Sequence, residues 1–131
     1  MPSELAPDPI VVFGAPRSGT TYLEEILNAH PEVFISHETR VFAWLNRSLA
    51  LTQDHLLVAN DREAFVEYLR GVFPHVIRDF YRQRAPDVRY WGDKNPHYTD
   101  PRAAGSLNMV AELFPGSLFI HIIRDGRDVV S

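Results

Sequence analysis

Apolar positions along this chain alternate between two spacings. Ile10 to Phe13, Val33 to Ser36 and Ser117 to Ile123 are short, β-rich runs closed by glycine or polar residues, as buried strands are. A fourth short strand is expected within Arg89 to Tyr98, before a polar loop. Between them the spacing becomes helical. From Gly19 or Thr20 to Ala29, Leu23, Ile26 and Leu27 share one face, and His30-Pro31 ends the helix because a residue before proline is driven from the α region. Val41 to Leu51 and Asp54 to Val58 read as helical, and Asn60-x-x-Glu63 opens a helix to about Arg70 or Gly71. After Pro74 a further helix sets Val76, Ile77, Phe80 and Tyr81 inward and Arg78, Arg82 and Arg84 towards solvent. Asp100-Pro101 supplies an N-cap and a first-turn proline for a helix ending before Pro115-Gly116. Strands alternating with helices predict an α/β fold with a central parallel sheet.

The first strand runs into Gly14-Ala-Pro-Arg17-Ser18-Gly19-Thr20-Thr21. Two glycines five apart between strand and helix match a phosphate loop, whose backbone N–H groups and helix N-terminus surround phosphate oxygens. Thr20 stands where that motif has lysine, which disfavours a Mg-nucleotide site and a kinase-like phosphotransferase. Arg17 brings the charge into the loop as a planar fork, and Thr20 and Thr21 add hydroxyls. The competing reading is a plain strand-to-helix turn rich in small residues.

Polar residues recur where strands end. In open α/β sheets the carboxyl ends of strands bind ligands, so Glu38 and Arg40, after the second strand, share the rim of the phosphate loop. Glu38 reads equally well as a first-turn acid on a helix beginning near Thr39. Arg124 follows the last strand. His121 within it reads as a core histidine and His30 as a helix-end residue, and from Arg124 to Ser131 the pattern turns helical.

Composition narrows the chemistry. At 131 residues, 45% hydrophobic and 23% charged, the chain is a single globular domain over 1–131, with residues 1–9 a flexible arm. A net charge of −4 argues against general nucleic-acid binding, so an anionic ligand needs a local cationic cluster. Absence of cysteine excludes disulfides, thiolate metal sites and thiol catalysis. No secretory signal or membrane-length apolar run is present, so the expectation is a cytoplasmic protein without a membrane partner. Of thirteen basic residues only Lys94 is lysine, at a position where a compact, reorientable ammonium does what a guanidinium would do badly.

Three segments in order, Gly14-Ala-Pro-Arg-Ser-Gly-Thr-Thr, Gly92-Asp-Lys-Asn-Pro and Phe119-Ile-His-Ile-Ile-Arg-Asp-Gly-Arg-Asp-Val-Val, resemble the sulfotransferases that use 3′-phosphoadenosine-5′-phosphosulfate (PAPS). Pro16-Arg-Ser-Gly-Thr-Thr, Asn28-Ala-His-Pro-Glu-Val and Glu38-Thr-Arg40-Val are similar to the tyrosylprotein branch and its bacterial relatives. The resemblance implies a P-loop-like three-layer sandwich, incomplete at the carboxyl end. It implies that Arg17, Ser18, Gly19, Thr20 and Thr21 bind the 5′-phosphosulfate and Arg124 the 3′-phosphate. Glu38 becomes the general base, Arg40 an acceptor-side arginine, and Lys94 the cation on the transferring sulfuryl group, with no metal required. Asp93 and His97 stand in reserve as bases. Acceptors open to such a site are a peptide tyrosine, a sugar or a small-molecule alcohol or amine. The family's 3′-phosphate serine falls at position 132, so the expectation is the amino-terminal part of a longer enzyme; the alternative from another class is a non-catalytic fragment that binds anions weakly.

Overall fold

The computed structural model describes residues 4–15, 17–51, 59–103 and 105–124. Four parallel strands, β1 (Ile10–Gly14), β2 (Val33–His37), β3 (Tyr90–Lys94) and β4 (Leu118–Ile122), lie in the order β2-β3-β1-β4. Because neighbours run parallel, all their carboxyl ends fall on one rim. The register pairs Val12 with Lys94, Lys94 with His37, and Gly14 with Ile122.

One face of the sheet carries α1 (Thr20–Asn28); the other carries α2 (Val41–Leu51), α3 (Ala59–Arg84) and α4 (Ser106–Leu113). Strand alternation sends Val11 and Trp91 to the second face, where they pack with Phe42, Leu45, Ile77, Tyr81, Val110 and Phe114 into the main core. Trp91 lies 4.7 Å from the Tyr81 ring and 5.7 Å from that of Phe114. Each such buried side chain contributes about 1.5–3 kcal/mol of transfer free energy. Gly92 has no room for more: a Cβ there would stand 1.7 Å from the Ile10 carbonyl oxygen.

Several expectations change. The helices expected on either side of Pro74 are one, α3, with Pro74 inside it. A proline interrupts the ladder at one position, and burial of Ile77 and Tyr81 against the sheet outweighs that loss. Val76 and Phe80, expected inward, are half exposed, Phe80 lying edge-on to Tyr81. The helix expected from Asp100 starts at Ser106 instead, because Gly105, at φ 87°, sets its N-cap and the preceding residues form two 3-10 turns, Pro96–Thr99 and Pro101–Ala103. On α1 the buried residues are Thr20 and Glu24, whereas Ile26 is exposed.

β4, read from its apolar run as a buried strand, pairs only with β1 among the described residues, and Leu118 and Phe119 are exposed. His121, expected in the core, is exposed among the described residues and stacks on Phe13 at 4.6 Å. Within the segment expected as a flexible arm, Leu5 to Pro7 make contacts with the body of the fold. Leu5 is buried, Ala6 exchanges hydrogen bonds with Arg89 and the Trp91 indole, and Arg78 donates twice to the Pro7 carbonyl. The helical patterns expected over 54–58 and after Arg124 lie outside the described residues. No helix among the described residues is long and apolar enough to cross a membrane.

Candidate active site

The rim gathers three loops. The first joins β1 to α1: Arg17 adopts φ 66° and Gly19 φ 103°, a left-handed pair that turns the chain sharply into the N-terminus of α1. Gly14 lets this loop close, since a Cβ would stand 2.6 Å from the Ile122 carbonyl oxygen and 2.7 Å from Ser18 Oγ. Ser18 is buried and its Oγ has no hydrogen-bond partner among the described residues, none of which caps the N-terminus of α1 with a side chain. A buried orphan hydroxyl beside uncapped helical N–H groups fits an anion. Arg17 is exposed, and Arg124, from the end of β4, donates through Nη1 to the Arg17 carbonyl at 3.1 Å, which brings the Arg124 guanidinium to this loop.

The second loop follows β2. Glu38 and Arg40 take φ 51° and 60°, strained values for residues with side chains, and α2 begins only at Val41. Glu38 is therefore not a first-turn helical acid. Its N–H donates to the Lys94 carbonyl at 2.7 Å, and its Oε1 accepts from Lys94 Nζ at 2.9 Å. The Thr39 N–H between the two strained residues donates to Asp93 Oδ1 at 3.3 Å.

The third segment is the end of β3. Lys94 is wholly buried, and its ammonium also donates to Thr21 Oγ1 at 3.0 Å. The solitary lysine thus spans from the first turn of α1 to the carboxylate of Glu38. That hydrogen bond, more than any other influence, holds the Glu38 carboxyl below its ordinary pKa, against the opposing effect of its partial burial.

Neighbouring residues on a strand face opposite sides, so Asp93 lies across the sheet from Lys94. It is buried, accepting from Ser36 Oγ at 2.6 Å and from the Tyr98 hydroxyl at 2.7 Å, and Ser36 shares a further 2.6 Å hydrogen bond with Tyr81. Burial raises its pKa, and the Ser36 and Tyr98 hydrogen bonds oppose the rise. Burial likewise raises both tyrosines. Asp93 is enclosed by donors and serves the loop, so it drops out as a reserve base. His97 is half exposed and 3.8 Å from Asp100, and it reaches Glu38 only through its charge.

Two features carried no motif. His37 faces α1, its Nδ1 3.0 Å from Oε1 of the buried Glu24, an arrangement that depends on strand register and helix rotation together. A cavity of about 800 Å³ beside the Glu38 loop is lined by Arg40, Trp44, Arg47, Asn95, His97 and Ser106 among others. Its walls come from two stretches far apart in sequence, 40–50 and 95–106, which no local spacing connects.

Protein-tyrosine sulfotransferase 1 of Mus musculus is 35% identical over 121 residues, covering 90% of this chain and 31% of its own length. The protein-tyrosine sulfotransferase of Drosophila melanogaster is 33% identical over 124 residues, covering 92% of this chain and 24% of itself. Among solved structures, the sulfotransferase domain from the curacin biosynthetic pathway superposes with a TM-score of 0.57 at 20% identity, over 97% of this chain and half of that one. The sulfotransferase domain of the Synechococcus PCC 7002 olefin synthase gives 0.53 at 21%, over 93% and half. These two likenesses show the shared fold. The chain spans about a third or less of those curated relatives. Residues 9–131 match the profile described as "Sulfotransferase family", and the chain belongs to that family.

Proposed function

We propose that these residues form the donor site and reaction centre of a PAPS-dependent sulfotransferase, which passes a sulfuryl group in line to an acceptor hydroxyl. The observation that carries the reading is the buried Lys94 ammonium held between Thr21 and Glu38. It sets one cation between the anion-binding loop and a carboxylate, where negative charge develops as a sulfuryl group moves from one oxygen to another. Arg17, Ser18, Gly19, Thr20 and Thr21 receive the 5′-phosphosulfate, and Arg124 the 3′-phosphate. Glu38 takes the acceptor proton, and Arg40 faces the cavity through which the acceptor enters. PAPS supplies the activated sulfuryl group when bound; this chain's part is to position, neutralise charge and accept a proton. A peptide tyrosine is the acceptor this reading favours, because it is what the curated relatives' names say they modify.

The test is calorimetric titration with 3′-phosphoadenosine-5′-phosphate, with ATP for comparison and Arg17→Ala as control. Micromolar binding, preferred over ATP and lost in the variant, supports a folded donor site. A cooperatively melting protein that ignores the ligand, or prefers ATP, overturns the reading.

A further inference from the structure

Every side-chain contact that Glu38 makes among the described residues falls on one oxygen. Lys94 Nζ lies 2.9 Å and His37 Nε2 3.9 Å from Oε1, so Oε2 is the oxygen left for an acceptor hydroxyl. A carboxylate gripped by an ammonium is a poor place for a proton to stay. Behind it stands an imidazole whose other nitrogen is occupied. His37 Nδ1 is 3.0 Å and 3.2 Å from the two oxygens of Glu24, a buried residue of α1. An ionised carboxylate only accepts hydrogen bonds, so it selects the tautomer with hydrogen on Nδ1 and leaves a lone pair on Nε2, the nitrogen nearer Glu38. The His37 side chain is 58% exposed, which gives a proton placed on it a direct way to water.

We propose that His37, oriented by Glu24, takes over the proton that Glu38 removes from the acceptor, making Glu24, His37 and Glu38 a proton exit from the reaction centre. The inference rests on the sulfuryl-transfer reading above. The balance is complete: the acceptor oxygen bonds to sulfur as the bond from sulfur to the bridging phosphate oxygen breaks, the hydroxyl proton passes to Glu38, and from Glu38 to His37 Nε2. Solvent then takes it from His37 and restores both groups. The proton arrives on Oε2 whereas Nε2 lies 3.9 Å from Oε1, so the hand-off needs the carboxyl to turn its protonated oxygen towards His37 or one bridging water between Oε2 and Nε2. The charged groups around His37 are Glu24 on α1, Glu38 beside it and Lys94 on β3, with His97 acting on Glu38 from the following turn. A proton on His37 thus forms an ion pair on each side.

Two measurements test this. Nitrogen-15 NMR of the neutral His37 ring in the unmodified protein should show hydrogen on Nδ1; hydrogen on Nε2 would overturn the proposal, because that nitrogen could then accept nothing. Kinetics with PAPS and a tyrosine peptide, in the full protein, should show His37→Gln lowering kcat about tenfold or more. The same variant should flatten the fall of kcat towards acid pH, with affinity for 3′-phosphoadenosine-5′-phosphate kept within about twofold. Added imidazole should recover part of the rate in His37→Ala, as no packing defect would. Unchanged kcat and pH profile in His37→Gln, or a loss that imidazole does not relieve, would overturn the relay. Glu38→Gln separates the two levels: near-normal turnover there removes the base itself and the relay with it, whereas a large loss beside an unaffected His37→Gln removes the relay alone.

Discussion

Lys94 and Glu38 are joined twice: the Glu38 N–H donates to the Lys94 carbonyl at 2.7 Å, and Lys94 Nζ donates to Glu38 Oε1 at 2.9 Å. The backbone bond continues the β2–β3 ladder one residue past the end of β2, into a residue at φ 51°. The sheet's own hydrogen bonding therefore aims the acid at the lysine.

Lys94→Met should keep the fold and lose the chemistry. A buried ammonium replaced by an apolar side chain of similar length is often neutral for stability, and Glu38, partly exposed, can be solvated once unpaired. Sulfuryl transfer should fall at least ~100-fold. Lys94→Arg should not restore it, because a planar fork cannot replace a compact ammonium between Thr21 and Glu38. Chemical denaturation beside a turnover assay checks both halves; recovery of activity by arginine would contradict the argument.

The pH dependence of stability follows from the lowered pKa of Glu38, set first by the Lys94 hydrogen bond. An acid whose pKa is lowered by folding stabilises the fold above its ordinary value, and loses that contribution as pH falls through the lowered one. The stability difference between the unmodified protein and Glu38→Gln should be constant above about pH 5 and shrink below about pH 4. Denaturant midpoints across that range measure it, and a difference that grows towards acid would have the wrong sign.

Much of this was legible because it is local. The Gly14-to-Thr21 turn, the ends of α1 and α2, and the arrival of Glu38 and Arg40 after a strand are set by neighbours in sequence. What could not be read is set at a distance. An apolar run announces a strand without saying what covers it: among the described residues Ser117 to Ile123 pairs only with β1, and His121 is exposed. Pro74 marks a helix break by local rules, yet Ile77 and Tyr81 pack beyond it with enough apolar contact to carry α3 through. No local spacing marks Glu24 as buried; only the β2 register, which brings His37 over α1, explains its burial.

Asp93 gives a prediction of opposite sign. Burial raises its pKa above the ordinary 3.8, so the folded protein holds the proton more tightly than the unfolded chain. Stability should fall as pH rises from that ordinary value through the raised one, then level off. Asp93→Asn should abolish this slope and, by disturbing the bonds to Ser36, Tyr98 and the Thr39 N–H, lower stability by about 1–3 kcal/mol near neutrality. A slope that survives the substitution would assign it to another group.

Glycine substitutions separate the site from the scaffold. Gly71, exposed in α3 with nothing within 4 Å of an added Cβ, should become more stable by about 0.5–1 kcal/mol as alanine, since the helix loses a flexible residue at no steric cost. Gly14→Ala should do the reverse: its Cβ would meet the Ile122 carbonyl oxygen and Ser18 Oγ, costing about 1–3 kcal/mol and displacing the orphan hydroxyl from the loop. Affinity for 3′-phosphoadenosine-5′-phosphate should fall with it by tenfold or more, while Gly71→Ala leaves affinity unchanged. Thermal melts and the same titration read both effects. A Gly14→Ala protein binding within twofold of the original would mean that closure of β1 onto Ser18 and β4 does not shape the phosphate loop.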